Sequence, residues 1–336
     1  MDSVTHTLLG ACVGEAIAGK KLGKKAMLFG AIANNFPDID IISSLWMNQP
    51  DSLLAHRGIT HSILFVILMS VFAGWLMKKI FSGINFSQQE WTMLFCINLF
   101  LHIFIDAFTA YGTGWFEPFS HYRVSFNLLF VADPFYTIAL LVASIALLIL
   151  KKNSSKRLAW TAAGLIISSI YIVYALVHKL EIDAIAKTSL RDKKIPAFNF
   201  LATPTPLNNF LWYIVAQNDS GYNIGYYSFF DHTKEINFHF IPRNNSMIEA
   251  KKNDDGVKKL IRFSQGYYHV EKINDTLVFS DIRFGQIGGW YTGDAPFVFQ
   301  YKLTESDDNT MAIQSGRLKV FEGKAFREII ERIKGR

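Results

Sequence analysis

Cysteine is almost absent from this chain: there are two in 336 residues, Cys12 and Cys96, each inside an apolar segment. That excludes a disulfide framework and a cysteine-rich zinc site. Leu9-Gly10-Ala11-Cys12 looks like a lipoprotein cleavage box, but no basic residue precedes it and the would-be signal is far too short, so Cys12 is read as core. Charge is sparse too. The net charge of +6 sits mostly in short Lys/Arg clusters beside apolar runs, which fits membrane topology and argues against a nucleic-acid surface. The second half holds no nucleotide or P-loop fingerprint.

What is plentiful is apolar surface. Half of the residues are hydrophobic, 15% are aromatic and the mean hydropathy is positive, and the first half of the chain is responsible. A membrane part followed by a soluble part is expected. Thr7 to Gly19 and Ala26 to Phe36, separated by Lys20, Lys21, Lys24 and Lys25, are each too short for an easy span of about 20 residues. They read as a helical hairpin. Four full spans are expected after it: Ile59 to Phe81, Trp91 to Ala110, Pro134 to Leu150 and Leu158 to Val177. Glu15, alone in the first apolar stretch, is expected to pair with a nearby lysine.

The charges set an orientation. If every apolar segment crosses, Lys20, Lys21, Lys24, Lys25, Lys78, Lys79, Lys151, Lys152, Lys156 and Arg157 share one face, and only Arg57 and Arg123 lie in the short loops opposite. Ten against two marks the basic face as cytoplasmic.

From about His178 the composition becomes that of a soluble domain. Leu180 to Arg191 reads as an amphipathic helix continuing from the membrane, and a connector spaced by Pro196, Pro204 and Pro206 follows. Hairpins are expected around Asn218-Asp219-Ser220-Gly221 and at Asn274-Asp275, a strand over Pro296 to Leu303, and helices over Met247 to Arg262 and Phe321 to Ile333. The fold class expected for the chain is a mainly α polytopic membrane domain, of about four spans plus the hairpin, followed by a small α+β extracytoplasmic domain. The boundary falls at 180/181.

Five of the nine histidines lie in the first 133 residues, where apolar segments begin and end. His56-Arg57-Gly58-Ile59-Thr60-His61-Ser62 stands at the mouth of an apolar run. His6, Asp38, Asp40, His102, Asp106, His121 and Asp133 gather at similar levels, and His102 and Asp106 share one helix face. Groups so expensive beside hydrocarbon are kept for use. Imidazole and carboxylate together suit Zn, Mn or Fe(II) better than Mg or Ca, and the candidate ligands suffice for one or two ions. Such a site acidifies water and polarises a phosphoryl or carbonyl oxygen. Arg57 is placed to hold an anionic group, and Asp40 or Asp106 to act as general base.

Met1-Asp2-Ser3-Val4-Thr5-His6, Asn35-Phe36-Pro37-Asp38-Ile39-Asp40, the His56 to Ser62 element and His102-Ile103-Phe104-Ile105-Asp106, in this order, resemble the membrane-bound metal-dependent hydrolase family (YdjM-like), over about the first 180 residues. The resemblance implies a distant similarity to zinc-dependent phospholipase C. It carries His6, Asp38, His61, His102 and Asp106 as metal ligands, with His56, Asp40 and His121 as further candidates. The expected protein is therefore a multi-pass enzyme of the bacterial inner membrane. It would hydrolyse a phosphoester or ester of a lipid or lipid-linked molecule at the outer face. Two other classes stay open. A metal transporter would need polar residues continuing across the bilayer, and few do. A non-catalytic assembly protein would bind a partner through the C-terminal domain, for which Tyr222, Tyr226 and Tyr227 are available.

Overall fold

A computed structural model describes residues 1–290, 293, 295–303, 314–315 and 323–335. The chain forms two units: Met1–Ile42 with Ala55–Leu176 and Pro206–Asn208, and Ser43–Leu54 with Val177–Thr205 and Asn209–Arg336.

The first unit is helical. Asp2 caps α1 (Ser3–Leu22) by accepting from the Val4 and Thr5 amides, and Gly23, at φ +60°, turns the chain into α2 (Lys24–Asn35). These two helices touch backbone to backbone: a Cβ on Gly30 would run into the Gly10 carbonyl, and one on Gly14 into the Ala26 carbonyl. A 3-10 helix, Phe36–Leu45, follows; α3 (Gln49–Ala55) falls almost wholly in the second unit, and the first resumes with a 3-10 turn, Ile59–His61. Ser62 caps α4 (Ile63–Ile80) through the Phe65 amide. A Ser87/Glu90 capping box starts α5 (Gln88–Asp106), and Asp133 with Pro134 starts α6 (Pro134–Ile149). The last helix, α7 (Lys156–Asp192), is 37 residues long. It contains both the apolar stretch and the amphipathic stretch that the sequence reading separated.

Four full spans are corrected to two. Among the described residues only Ile63–Ile80 and Lys156–Asp192 are long and apolar enough to cross a membrane, and Pro134–Ile149 is a shorter apolar helix. The run beginning at Trp91 lies on α5, which also carries Glu90 and buries Asn98, His102 and Asp106. At 1.5 Å per residue, the 16 residues of α6 give about 24 Å, short of a hydrocarbon layer of about 30 Å. The described residues thus hold two candidate spans, and α1, α2, α5 and α6 pack into two shared cores. Trp91, Leu94, Phe95, Leu99 and Ile103 of α5 form one core with Ala26, Phe29, Val66 and Ala73. Leu9, Cys12 and Val13 of α1 form another with Tyr136, Leu140 and Ala143 of α6.

Glu15 has a partner, but it is not a lysine. Arg157 holds both carboxylate oxygens, Nε to Oε1 and Nη2 to Oε2 at 2.7 Å each, and its Nη1 caps the Leu147 carbonyl at 2.6 Å. A bidentate guanidinium matches a buried carboxylate better than a point-charge ammonium does. The ends of the unit are chemically opposite. Lys152 Nζ donates to the Lys21 carbonyl at 3.3 Å and Lys21 pairs with Glu90 at 2.5 Å, so the basic C-terminal end of α1, the start of α5 at Glu90 and the lysines just after α6 gather together.

The second unit contains two antiparallel four-stranded sheets, β1-β2-β3-β4 and β5-β6-β7-β8. The strands are β1 (Asn199–Pro204), β2 (Leu211–Gln217), β3 (Gly221–Ser228), β4 (Phe238–Pro242), β5 (Tyr268–Ile273), β6 (Thr276–Gln286), β7 (Phe297–Leu303) and β8 (Gln314–Ser315). Both expected hairpins form. Asn218 Oδ1 accepts from the Ser220 and Gly221 amides, and Asn274 and Asp275 both take positive φ between Ile273 and Thr276. Three strands went unread: β1, which ends on Pro204 inside the supposed connector, β4, and the two-residue β8. The helix expected over Met247 to Arg262 is a 3-10 segment, Asn245–Lys251, and then α8 (Asp255–Phe263), because Asp254 caps a fresh start through the Val257 amide. The closing helix is α9 (Gly323–Ile333); Phe321 and Glu322 lie outside the described residues. Tyr222, Tyr226 and Tyr227 are buried in the unit, so the tyrosines that suggested a partner surface are core.

Candidate metal centre

Four side chains from three elements converge in the helical unit. The 3-10 helix after α2 brings Asp38, the turn before α4 brings His61, and the last turn of α5 brings His102 and Asp106, one above the other at i and i+4. Their donor atoms lie within 4.8 Å of one another. His61, His102 and Asp106 are fully buried, and the Asp38 side chain keeps 14% exposure.

The spacing among the donors is informative. Four ligands at 2.0–2.1 Å from a tetrahedral Zn stand roughly 3.3 Å apart. Here His61 Nε2 is 3.0 Å from His102 Nε2, 3.4 Å from Asp38 Oδ1 and 3.3 Å from Asp106 Oδ2. His102 Nε2 is 3.5 Å from each of Asp38 Oδ1 and Asp106 Oδ2. Five of the six edges of a tetrahedron therefore fall between 3.0 and 3.5 Å.

The protons point the same way. Asp40 Oδ2 accepts from Thr60 Oγ1 at 2.6 Å and from the Arg57 amide at 3.0 Å, and stands 3.2 Å from His61 Nδ1. The Thr60 hydroxyl proton is used on Asp40, so the proton between His61 and these two oxygens belongs to His61 Nδ1. Nε2 is left bare. Likewise Asn34 Nδ2 donates to the Asn98 carbonyl at 3.0 Å, so Asn34 Oδ1 accepts from His6 Nδ1 at 3.1 Å and His6 Nε2 is bare. Bare nitrogens facing carboxylate oxygens repel unless a cation lies between them. Asp106 Oδ2 is buried and accepts no hydrogen bond. These residues fit a divalent metal ion.

A surround holds the donors. Asp106 Oδ1 is 3.1 Å from Arg57 Nη2 and 3.2 Å from His6 Nε2, and the Met1 amino group lies against it. His6 stacks on His102 with ring centroids 3.8 Å apart. Arg57 Nη1 also donates to Thr109 Oγ1 at 2.8 Å, and its guanidinium lies over Tyr111. Burial alone would raise the Asp40 carboxyl, but hydrogen bonds from His56 and His61 hold it well below the usual carboxylate range. His56 titrates below an ordinary histidine, chiefly because it is buried.

The sequence-derived residues thus separate. Asp38, His61, His102 and Asp106 come together, and His6 stands beside them on Asp106. His56 donates to Asp40 Oδ1 at 2.8 Å and forms a second grouping with Asp38 and Asp40. Arg57 was expected to face a substrate anion; the structure buries it against Asp106, where it joins the Met1 amino group in offsetting a buried carboxylate. Asp40 was expected to act as base or ligand; both its oxygens are engaged behind the histidines. His121 stands apart, 62% exposed and 2.9 Å from Glu117 four residues earlier. Asn34, Thr60 and Thr109 were missed. The pair Asn34-Asn35 ending an apolar helix was a readable signal for the first; the two threonines carried none.

The profile described as YdjM inner membrane protein matches residues 1–182. An uncharacterized protein of Bacillus subtilis (strain 168), YfhP, is 26% identical over 309 residues, 89% of this chain and 90% of its own length. Inner membrane protein YbcI of Escherichia coli (strain K12) is 26% identical over 123 residues, 36% of this chain and 69% of its own. No solved structure matches the chain at a significant level.

Proposed function

The chain belongs to the YdjM inner membrane protein family, and from that premise we propose that it is a membrane-bound metal-dependent hydrolase acting on a phosphoester or ester of a lipid or lipid-linked molecule. The supporting observation is the grouping of Asp38, His61, His102 and Asp106, with His61 Nε2 bare and the donor atoms spaced for one ion. Zn suits that set first, with Mn or Fe(II) as substitutes. Once bound, the ion supplies Lewis acidity and acidifies water. The chain's own residues do the rest. Asp40 and Asn34 fix the tautomers of His61 and His6, Arg57 balances Asp106, and Asp38, the least covered donor, marks the side from which a substrate enters. Residues 1–180 form the hydrolase domain, and 181–336 a soluble domain.

The orientation follows from the two spans. Span α4 runs from His61 at the metal cluster to Lys78 and Lys79, and α7 starts back from the basic end at Lys156 and Arg157. With that end cytoplasmic, the cluster and the C-terminal domain lie on the outer side.

One observation favours a second reading. Four protein donors are the coordination of a structural ion, whereas a catalytic one keeps an open position, so a non-catalytic assembly protein would use the same cluster as a staple. The test is turnover. Protein in nanodiscs should hydrolyse a member of a panel of lipid phosphoesters and esters, lose that activity on chelation and regain it with Zn or Mn. Bound metal with no turnover above a His61→Ala background would leave the staple.

A further inference from the structure

The segments that carry the donors carry exposed apolar side chains between them. On the 3-10 helix Phe36–Leu45, Ile39 and Ile41 alternate with Asp38 and Asp40, and Ile59 lies between His56 and His61; all three isoleucines are about half exposed or more. A second apolar element leans on the same turn. Residues 113–124 form a loop closed by a Thr113–Val124 bridge, with reciprocal amide-to-carbonyl bonds of 3.0 and 2.9 Å. The Gly114 amide donates to the Arg57 carbonyl at 2.9 Å, and the Trp115 carbonyl accepts from the Ile63 amide at 3.0 Å. Arg123 Nη2 donates to the His56 carbonyl at 3.0 Å. The base of the loop is thereby tied to the donor-bearing turn. Its far part presents Phe116, Phe119 and Tyr122, with Phe119 84% exposed.

A site filled from water has a polar rim, whereas contiguous apolar patches mark an interaction surface. The span identifies what covers this one. Ser62 is the N-cap of the apolar helix Ile63–Ile80, a candidate membrane span, so Ile59 and His61 stand immediately ahead of it. Tryptophan and tyrosine rings concentrate where such spans meet the headgroup layer.

We propose that Ile39, Ile41, Ile59, Phe116, Phe119 and Tyr122 form a collar seated in the headgroup layer of the bilayer, so that the group handled at the metal cluster arrives from the membrane plane. The occupant is a lipid, its tails against the collar and its polar head toward Asp38. Its conversion there rests on the hydrolase reading; the seating of the collar does not.

The test uses the full chain in nanodiscs, with Cys12 and Cys96 changed to serine and a bimane fluorophore on Phe119→Cys, an exposed position that folding tolerates. Brominated lipids should quench the probe within about twofold of the same probe on Leu64→Cys in the first turn of α4, and aqueous iodide should quench it weakly. Strong quenching by iodide alone overturns the collar, because the loop then stands in water. Resistance to both quenchers also overturns it, because protein then covers the loop. Lipid quenching in a protein that turns over no substrate supports the collar while ending the hydrolase reading.

Discussion

Asp40→Asn offers the sharpest test of the metal centre, because it changes one charge and one hydrogen-bond polarity behind the donors without touching them. Three donors meet Asp40 Oδ2 (the Arg57 amide, Thr60 Oγ1 and His61 Nδ1) and one, His56 Nδ1, meets Oδ1. The amide oxygen of an asparagine will take the crowded side, since an NH2 there would face the Arg57 N–H. His61 then keeps an acceptor, but a neutral one, and its Nε2 becomes a poorer electron donor. Loss of a partner behind a metal-binding histidine costs about 10- to 100-fold in affinity, or about 1.4–2.7 kcal/mol. We expect Asp40→Asn near the lower figure. Asp40→Ala, which also strands the Arg57 amide and the Thr60 hydroxyl, is expected near the upper one. Chelator competition in detergent measures the affinity, and the visible spectrum of the Co(II) form reports whether the donor set is kept. Unchanged affinity in both variants refutes the coupling. Losses as large as that of His61→Ala, with an altered Co(II) spectrum, make Asp40 a direct ligand.

Three further outcomes are expected. His61→Ala and His102→Ala should each remove most bound metal, whereas His121→Ala, at an exposed position paired with Glu117, should remove none; metal analysis of the purified variants decides. Arg157→Met leaves the Glu15 carboxylate buried without its partner and should destabilise the helical unit by about 3–5 kcal/mol, read from the thermal midpoint in detergent; a midpoint near wild type would show that Glu15 reaches water. A periplasmic reporter fused after Arg336 should be active only outside the cytoplasm, and activity inside would reverse the proposed orientation.

The donors were legible because histidine and aspartate beside hydrocarbon are chemically conspicuous. Asp38, His61, His102 and Asp106, which the structure groups together, were among the residues gathered from composition and spacing, and the family resemblance carried them, with His6, as ligands. Their partners were not, since Thr60 and Thr109 differ in nothing but position from any helix-end threonine. Arg57 and Asp40 were noticed and given other roles, because sequence shows that a charge is present but not which oxygen it meets. His121 misled for a local reason: Glu117, one turn earlier, satisfies it. The span count failed where apolar length concealed inward-facing polar groups. A window over Trp91 to Ala110 averages away Asn98, His102 and Asp106, although all three are buried inside the unit. In the second unit the hairpin at Asn274-Asp275 was readable from its turn chemistry, whereas β1 hid behind Pro204, a residue tolerated at a strand end.

The bare nitrogens turned toward Asp106 also bear on how much of this protein a cell can keep. An ion held there would favour the folded chain over the unfolded one and add stability by mass action, about 2.7 kcal/mol when free metal exceeds the dissociation constant a hundredfold. Scarcity of metal would then act on quantity before it acted on chemistry, through faster proteolysis of the emptied chain. Pulse-chase of the protein in metal-depleted and metal-replete cells should show a shorter half-life in the first, and the His61→Ala chain should have a short half-life in both.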